Sequence, residues 1–308
     1  MNLIGTHART MAELDRVTSI EGIDMVELKP DIMRIKCGAE LYTFNGNNFA
    51  INPNVAREIS DLCSSRGCSV QVHMPFERMR DASQESGLCQ AETAHYPLIL
   101  AGYRMMGELL RDYGIGTVLT THPPAFMFDR KKICTEEEAI AVGRELYLKL
   151  GKLIDKEGYG FKVGVENMVC PKNKGSASVG YYPEQISGLI KGTGLGITID
   201  TGHRMLNHKM SIAELVSIGS IVNTHFHTND GKPTDEGYSD DQHVLAYSHN
   251  LAHYKRHIRG FAERGNPIVL EIECLDAIRD KELSEYVSRL REEILEEEQA
   301  MRTPILGW

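Results

Sequence analysis

Gly196-Ile197-Thr198-Ile199-Asp200-Thr201-Gly202-His203 is the stretch on which the fold turns. Its first half is a short, β-branched, apolar run with no helical period, which predicts a strand buried on both faces, as in a parallel sheet. The run then ends on a carboxylate, a glycine turn and a histidine. The same grammar recurs along the chain. Strands are predicted at 2–6, 24–29, 69–73, 117–122, 162–166, 196–200, 221–227 and 268–273. Amphipathic helical segments lie between them. One opens with Thr135 and Glu138, a capping box, and carries Val142, Leu146, Leu150 and Leu153 on one stripe. Another carries Leu283, Val287, Leu290 and Ile294, with Glu296, Glu297 and Glu298 on its solvated end.

Eight strand–helix units in 308 residues predict an α/β fold, a single (β/α)8 barrel over residues 1–308. The competing open, doubly wound sheet would want a G-x-G-x-x-G turn after its first strand, and the sequence has none there. No linker rich in Pro, Gly or Ser divides the chain. The irregular stretches 30–52 and 228–247 are the candidate active-site loops.

Composition narrows the function classes. With 42% hydrophobic and 25% charged residues the chain is that of a soluble globular protein. The formal charge of -9 argues against a general basic coat for nucleic acid or anionic membrane. No apolar run approaches the ~20 residues that span a bilayer, so no membrane partner is expected. Seven scattered cysteines without a C-x-x-C pair, and an N-terminus lacking a signal pattern, point to a reducing, cytoplasmic setting.

The polar residues fall at the strand ends. His73, His122, Glu166 and Asp200 close the third to sixth strands, and His203 lies just beyond Asp200. His225 and His227 close the seventh, two apart and therefore on one face. Asp241 and His243 follow in the next loop, and Glu271 sits on the eighth strand, with Glu273 as its rival for the inward position. In a closed barrel these positions converge on the C-terminal rim, where active sites are built. Imidazoles and carboxylates together suit borderline divalent ions. A ring of acids needs cations, and the one Lys or Arg at a predicted strand end is Lys29. The expectation is a metal site at the rim.

These residues resemble the xylose-isomerase-like TIM-barrel superfamily, which includes endonuclease IV and sugar epimerases. The resemblance rests on His73, His122-Pro123, Glu166-Asn167, Asp200 to His203, His225 to Thr228, Asp241 to His243, and Glu271. It implies a central metal held by Glu166, Asp200, His227 and Glu271. In the endonuclease branch it implies two further zinc ions, one on His73, His122 and Glu166, the other on His203, Asp241 and His243. The cofactor expected is therefore one to three divalent ions, Zn²⁺, Mn²⁺ or Co²⁺.

Two activities follow from the resemblance. The first is a sugar or sugar-phosphate isomerase or epimerase, in which Glu166 and Glu271 move the proton and His203 holds a substrate oxygen. The second is a multinuclear zinc phosphodiesterase acting on abasic DNA. Iron-dependent oxidase or lyase chemistry on the same ligands is a third. Phe76, Asn167, His225 and Lys232 are the expected substrate contacts, and a homo-oligomer is possible on either reading.

Overall fold

The computed structural model describes residues 3–29, 41–44, 48–74, 91, 93–128, 131–169, 177–206, 211–229, 243, 245, 265–272 and 278–302. Its centre is a closed ring of eight parallel strands. In chain order these are β1 (Ile4–Ala8), β2 (Met25–Leu28), β3 (Ser69–His73), β4 (Ile115–Thr121), β5 (Lys162–Glu166), β6 (Gly196–Asp200), β7 (Ile221–Phe226) and β8 (Ile268–Leu270). Each strand pairs with its sequence neighbours, and β8 closes on β1 through Ile4 opposite Ile268. The protein is a TIM barrel, as the spacing of the strand signals predicts.

Around the ring lie α1 (Met11–Thr18), α2 (Pro53–Ser65), α3 (Tyr96–Tyr113), α4 (Glu136–Glu157), α5 (Pro183–Ile190), α6 (Thr201–Leu206), α7 (Ile212–Ile218) and α8 (Asp280–Arg302). The capping box of α4 forms as read. Thr135 Oγ1 accepts from the Glu138 amide at 3.2 Å, and the Glu138 carboxylate accepts from the Thr135 amide at 2.8 Å. Leu146, Leu150 and Leu153 are buried, and Val142 packs at the edge of the core. In α8 all four residues of the predicted stripe are buried, and Arg291 ties the helix to Asp24 and to the Gly22 carbonyl at the foot of β2.

Three strands, 69–73, 162–166 and 196–200, have the predicted ends, and the other five differ by one to three residues. β1 runs two residues further on than 2–6, which brings His7 into the sheet. β4 stops before His122, β7 before His227 and β8 before Glu271. Small accessory sheets add to the barrel. Tyr42–Phe44 and Phe49–Ile51 form an antiparallel hairpin inside the 30–52 stretch, and Ala177–Ser178 joins Ala125–Phe128 and Lys131–Lys132 in a second sheet.

The inside of the barrel is polar at mid-height. Glu27, Gln71, Thr120, Thr198 and Asn223 are all fully buried or nearly so. Thr120 and Thr198 hydroxyls are 3.1 Å apart, and Asn223 donates to Glu27 and to Thr120, each at 3.1 Å. TIM barrels more often fill this layer with branched aliphatics. Here hydrogen bonds replace part of that packing, while Glu27 Oε1, Gln71 Oε1 and Asn223 Oδ1 make none among the described residues.

Candidate metal centre

Glu166 and Asp200 are the last residues of β5 and β6, and both are buried. Neighbouring side chains fix the strand ends. The Asn167 side-chain amide is committed to the Asp200 backbone, accepting from its N–H at 2.8 Å and donating to its carbonyl at 3.0 Å. The backbone carbonyl of Asn167 lies 2.8 Å from His203 Nδ1. Thr201 Oγ1 bridges to the residue after β7, donating to the His227 carbonyl at 2.9 Å and accepting from the His227 amide at 3.2 Å. Asp200 Oδ1 caps the start of α6 by accepting from the His203 amide at 2.7 Å. The other oxygen, Oδ2, is left facing the barrel axis.

His225 stands at the middle of the site. Its Nδ1 lies 3.2 Å from Glu271 Oε2, 3.5 Å from Glu166 Oε1 and 3.8 Å from Asp200 Oδ2. Its Nε2 faces the opposite way, 3.1 Å from Glu27 Oε2. His227 Nδ1 lies 3.6 Å from Asp200 Oδ2 and 3.8 Å from Glu271 Oε2, and its ring packs 4.3 Å from that of His243. His243 holds a left-handed backbone, φ 43°, uncommon for a residue with a side chain. On the other flank His73 Nε2 is 3.2 Å, and His122 Nε2 3.6 Å, from Glu166 Oε2.

Three groups of donor atoms result, each within 4.8 Å: Glu166, Asp200, His225 and Glu271; His73, Glu166 and His225; His227, His243 and Glu271. These groups take in the predicted ligands Glu166, Asp200, Glu271, His73, His227 and His243, whereas His122 and His203, although close to Glu166, belong to none of them. The structure also gives His225, read as a substrate contact, a place beside the three acids that the resemblance gives to His227. His203 touches the same acids, with Nδ1 3.3 Å from Glu166 Oε1. Asn167, also read as a substrate contact, has its amide taken up by the scaffold. Phe76, Lys232 and Asp241 lie outside the described residues, as does Glu273.

The donors fit a divalent cation. Asp200 Oδ2, Glu271 Oε2 and His225 Nδ1 are buried and make no hydrogen bond among the described residues, although buried polar atoms are otherwise paired. Three acids in one buried spot also repel one another. Burial and the neighbouring Glu166 and Glu271 push the Asp200 carboxyl up to about 7, against the pull of His203 and His227. Burial pushes Glu166 and Glu271 up too, but their neighbours outweigh it and hold both well below the usual range: His225, the hydrogen bond from His73, and His122 for Glu166; Lys29, His225 and His243 for Glu271.

Two buried residues of the site escape the sequence reading. Glu27 sits mid-strand in β2, fully buried. His7 of β1 pairs in register with it and is also buried, with no hydrogen bond to either ring nitrogen among the described residues. The available signal was a charged residue inside an apolar strand of a barrel. Lys29, the residue after β2, forms an ion pair with Glu271 Oε1. At Gly202 a side chain has no room, since a Cβ there would stand 1.8 Å from His227 Nε2.

The fold and the site together are those of a parallel eight-stranded barrel with candidate metal-ligand groups of imidazoles and carboxylates at the ends of its strands. The description "Xylose isomerase-like TIM barrel" matches residues 17–299, and the chain belongs to that family. Solved structures share the fold at low identity. A D-psicose 3-epimerase crystallised in the presence of D-fructose is similar with a TM-score of 0.64, at 10% identity over 95% of this chain and 99% of that one. Endonuclease IV from Thermus thermophilus gives 0.55 at 14% identity, covering 96% and 99%. A probable 3-DHS dehydratase from Bacillus anthracis gives 0.61 at 10%, covering 94% and 99%. No curated protein matches the sequence. Among the described residues no helix is long and apolar enough to cross a membrane.

Proposed function

We propose that the protein is a divalent-metal-dependent isomerase or epimerase of a sugar or sugar phosphate. The observation that carries this reading is the buried pair Glu166 and Glu271, set on either side of His225 Nδ1 at 3.5 and 3.2 Å with Asp200 alongside. Glu166, Asp200, His225 or His227, and Glu271 would hold a Zn²⁺, Mn²⁺ or Co²⁺ ion. Such an ion, when bound, polarises a carbonyl and its neighbouring hydroxyl. The chain supplies the proton transfer. One of the two glutamates, as the carboxylate, takes a proton from the carbon beside the carbonyl; the other, entering the turnover protonated from solvent, gives its proton to the opposite face, and exchange with water afterwards resets both. His203 holds a substrate oxygen next to them, and the surrounding burial excludes water from the reacting carbon.

The test is to incubate the metal-loaded protein with a panel of ketoses and their phosphates in D₂O. Deuterium at the carbon beside the carbonyl is expected. No incorporation into any sugar counts against the reading.

A second reading, a multinuclear phosphodiesterase acting on abasic DNA, draws on the two further donor groups at His73 and at His243. Metal analysis separates the two: one equivalent supports the isomerase, two or three of zinc the phosphodiesterase. Failure to cleave an abasic duplex with added Zn²⁺, Mn²⁺ or Co²⁺ would remove the second.

A further inference from the structure

We infer that Glu27 is a positioning residue, which aims His225 Nδ1 at the three acids by holding Nε2–H from below. The inference rests on the metal-centre reading and extends it to a residue deep in the barrel. Glu27 Oε2 is met by three groups from two strands: His225 Nε2 and Asn223 Nδ2 of β7, each at 3.1 Å, and Thr120 Oγ1 of β4 at 3.4 Å. Burying a carboxylate is costly unless it is paired. Glu27 is fully buried, so its hydrogen bonds must offset that cost within the protein.

The two imidazole nitrogens of His225 face different partners, Nε2 towards Glu27 and Nδ1 towards the three acids. An imidazole that donates from Nε2 to a carboxylate presents a lone pair at Nδ1 when a cation is there to accept it. Nδ1 is the atom that lies 3.2–3.8 Å from Glu271, Glu166 and Asp200 and makes no hydrogen bond among the described residues. Carboxylate partners of this kind fix the ring and raise its basicity in metal sites generally. Asn223 and Thr120 hold Glu27 in turn, so the polar layer of the barrel is the support of the site above it. The neighbouring His227 Nδ1 stands further from Glu271 Oε2, at 3.8 against 3.2 Å, though nearer to Asp200 Oδ2, at 3.6 against 3.8 Å.

The test titrates the apo protein with Co²⁺, following both affinity, by competition with a chelator, and the visible absorption that reports cobalt geometry. Glu27→Met keeps the side-chain volume and removes the acceptor. A loss of about 10–100-fold in Co²⁺ affinity is expected. Glu27→Gln keeps an acceptor oxygen in the same place, so most of the affinity should return. Combining Glu27→Met with His225→Ala should cost nothing beyond His225→Ala alone, because Glu27 acts through that ring.

The inference is overturned if Glu27→Met binds Co²⁺ within about threefold of the parent, well short of the loss expected, if Gln rescues no better than Met, or if the losses multiply in the double variant. Should Glu27→Met fail to fold, Glu27→Gln decides. Its cobalt spectrum should shift in the parent background and not in His225→Ala, and a shift in both sinks the idea. If the parent itself takes up no metal, the metal-centre reading falls and this inference with it. Parent uptake with indifferent Glu27 variants overturns the inference alone.

Discussion

Glu271 divides its two oxygens between two partners: Oε1 pairs with Lys29, while Oε2 faces His225 and the barrel axis. The lysine side chain is 14% exposed and the glutamate 5%, so both charges are largely out of water. Removing one member of such a pair strands the other and costs about 3 kcal/mol. Lys29→Met should therefore destabilise the metal-free protein by about that much. A bound divalent ion takes over the compensation, so the loss should shrink in saturating Mn²⁺. Urea unfolding with EDTA and with Mn²⁺ checks this, and equal losses in the two conditions would refute it. The lysine was legible in the sequence as the residue that ends the predicted strand 24–29, although β2 itself stops at Leu28. Glu27 and His7 were not, because a mid-strand residue shows its face only once the ring has closed and its end points are known. For the same reason the spacing of His225 and His227 put both on one face but could not say which would meet the acids.

Helix α4 shows how far an element follows its own sequence. Its N-terminus, cap and apolar stripe were all readable from Thr135 to Leu153, since each is a local signal. Its packing was not. Gly151 lies against the 193 turn, where a Cβ would stand 1.9 Å from the Thr193 carbonyl oxygen. Helix propensity alone favours Gly→Ala by about 1 kcal/mol in a helix interior. The contact reverses that sign. Gly151→Ala should destabilise the protein by about 1–3 kcal/mol, the usual cost of overpacking. Equilibrium unfolding measures it, and a neutral or stabilised variant would show that the helix can move away from the turn. The accessory sheets were illegible for the opposite reason. Short strands such as Ala177–Ser178 carry no period to read, and only their long-range partners make them strands.

Metal binding should stabilise the barrel as a whole, because the donors come from β3, β5, β6, β7 and the segment after β8 and are gathered only in the folded state. At free ion concentrations about 100-fold above the dissociation constant the gain is about 2.7 kcal/mol, a rise in Tm of about 5 °C for a chain this size. Differential scanning calorimetry with Zn²⁺, Mn²⁺ and Co²⁺ in turn should show the rise, and EDTA should reverse it. An unchanged Tm with all three would speak against a folded-state metal centre. The barrel itself was legible at this level, since eight similar strand signals in a row leave few other architectures.

The hydrogen-bonded layer inside the barrel also bears on how the chain finds its fold. A strand that slips by one residue turns every side chain to the other face. In an all-aliphatic barrel such a slip exchanges one apolar surface for another and is only weakly penalised. Here a slip of β2 would push Glu27 outward into the apolar layer between sheet and helices and leave Asn223, Thr120 and His225 without their acceptor. Unmet hydrogen bonds thus deplete misaligned rings from the ensemble, and the alignment that survives is the one that assembles the donors at the strand ends.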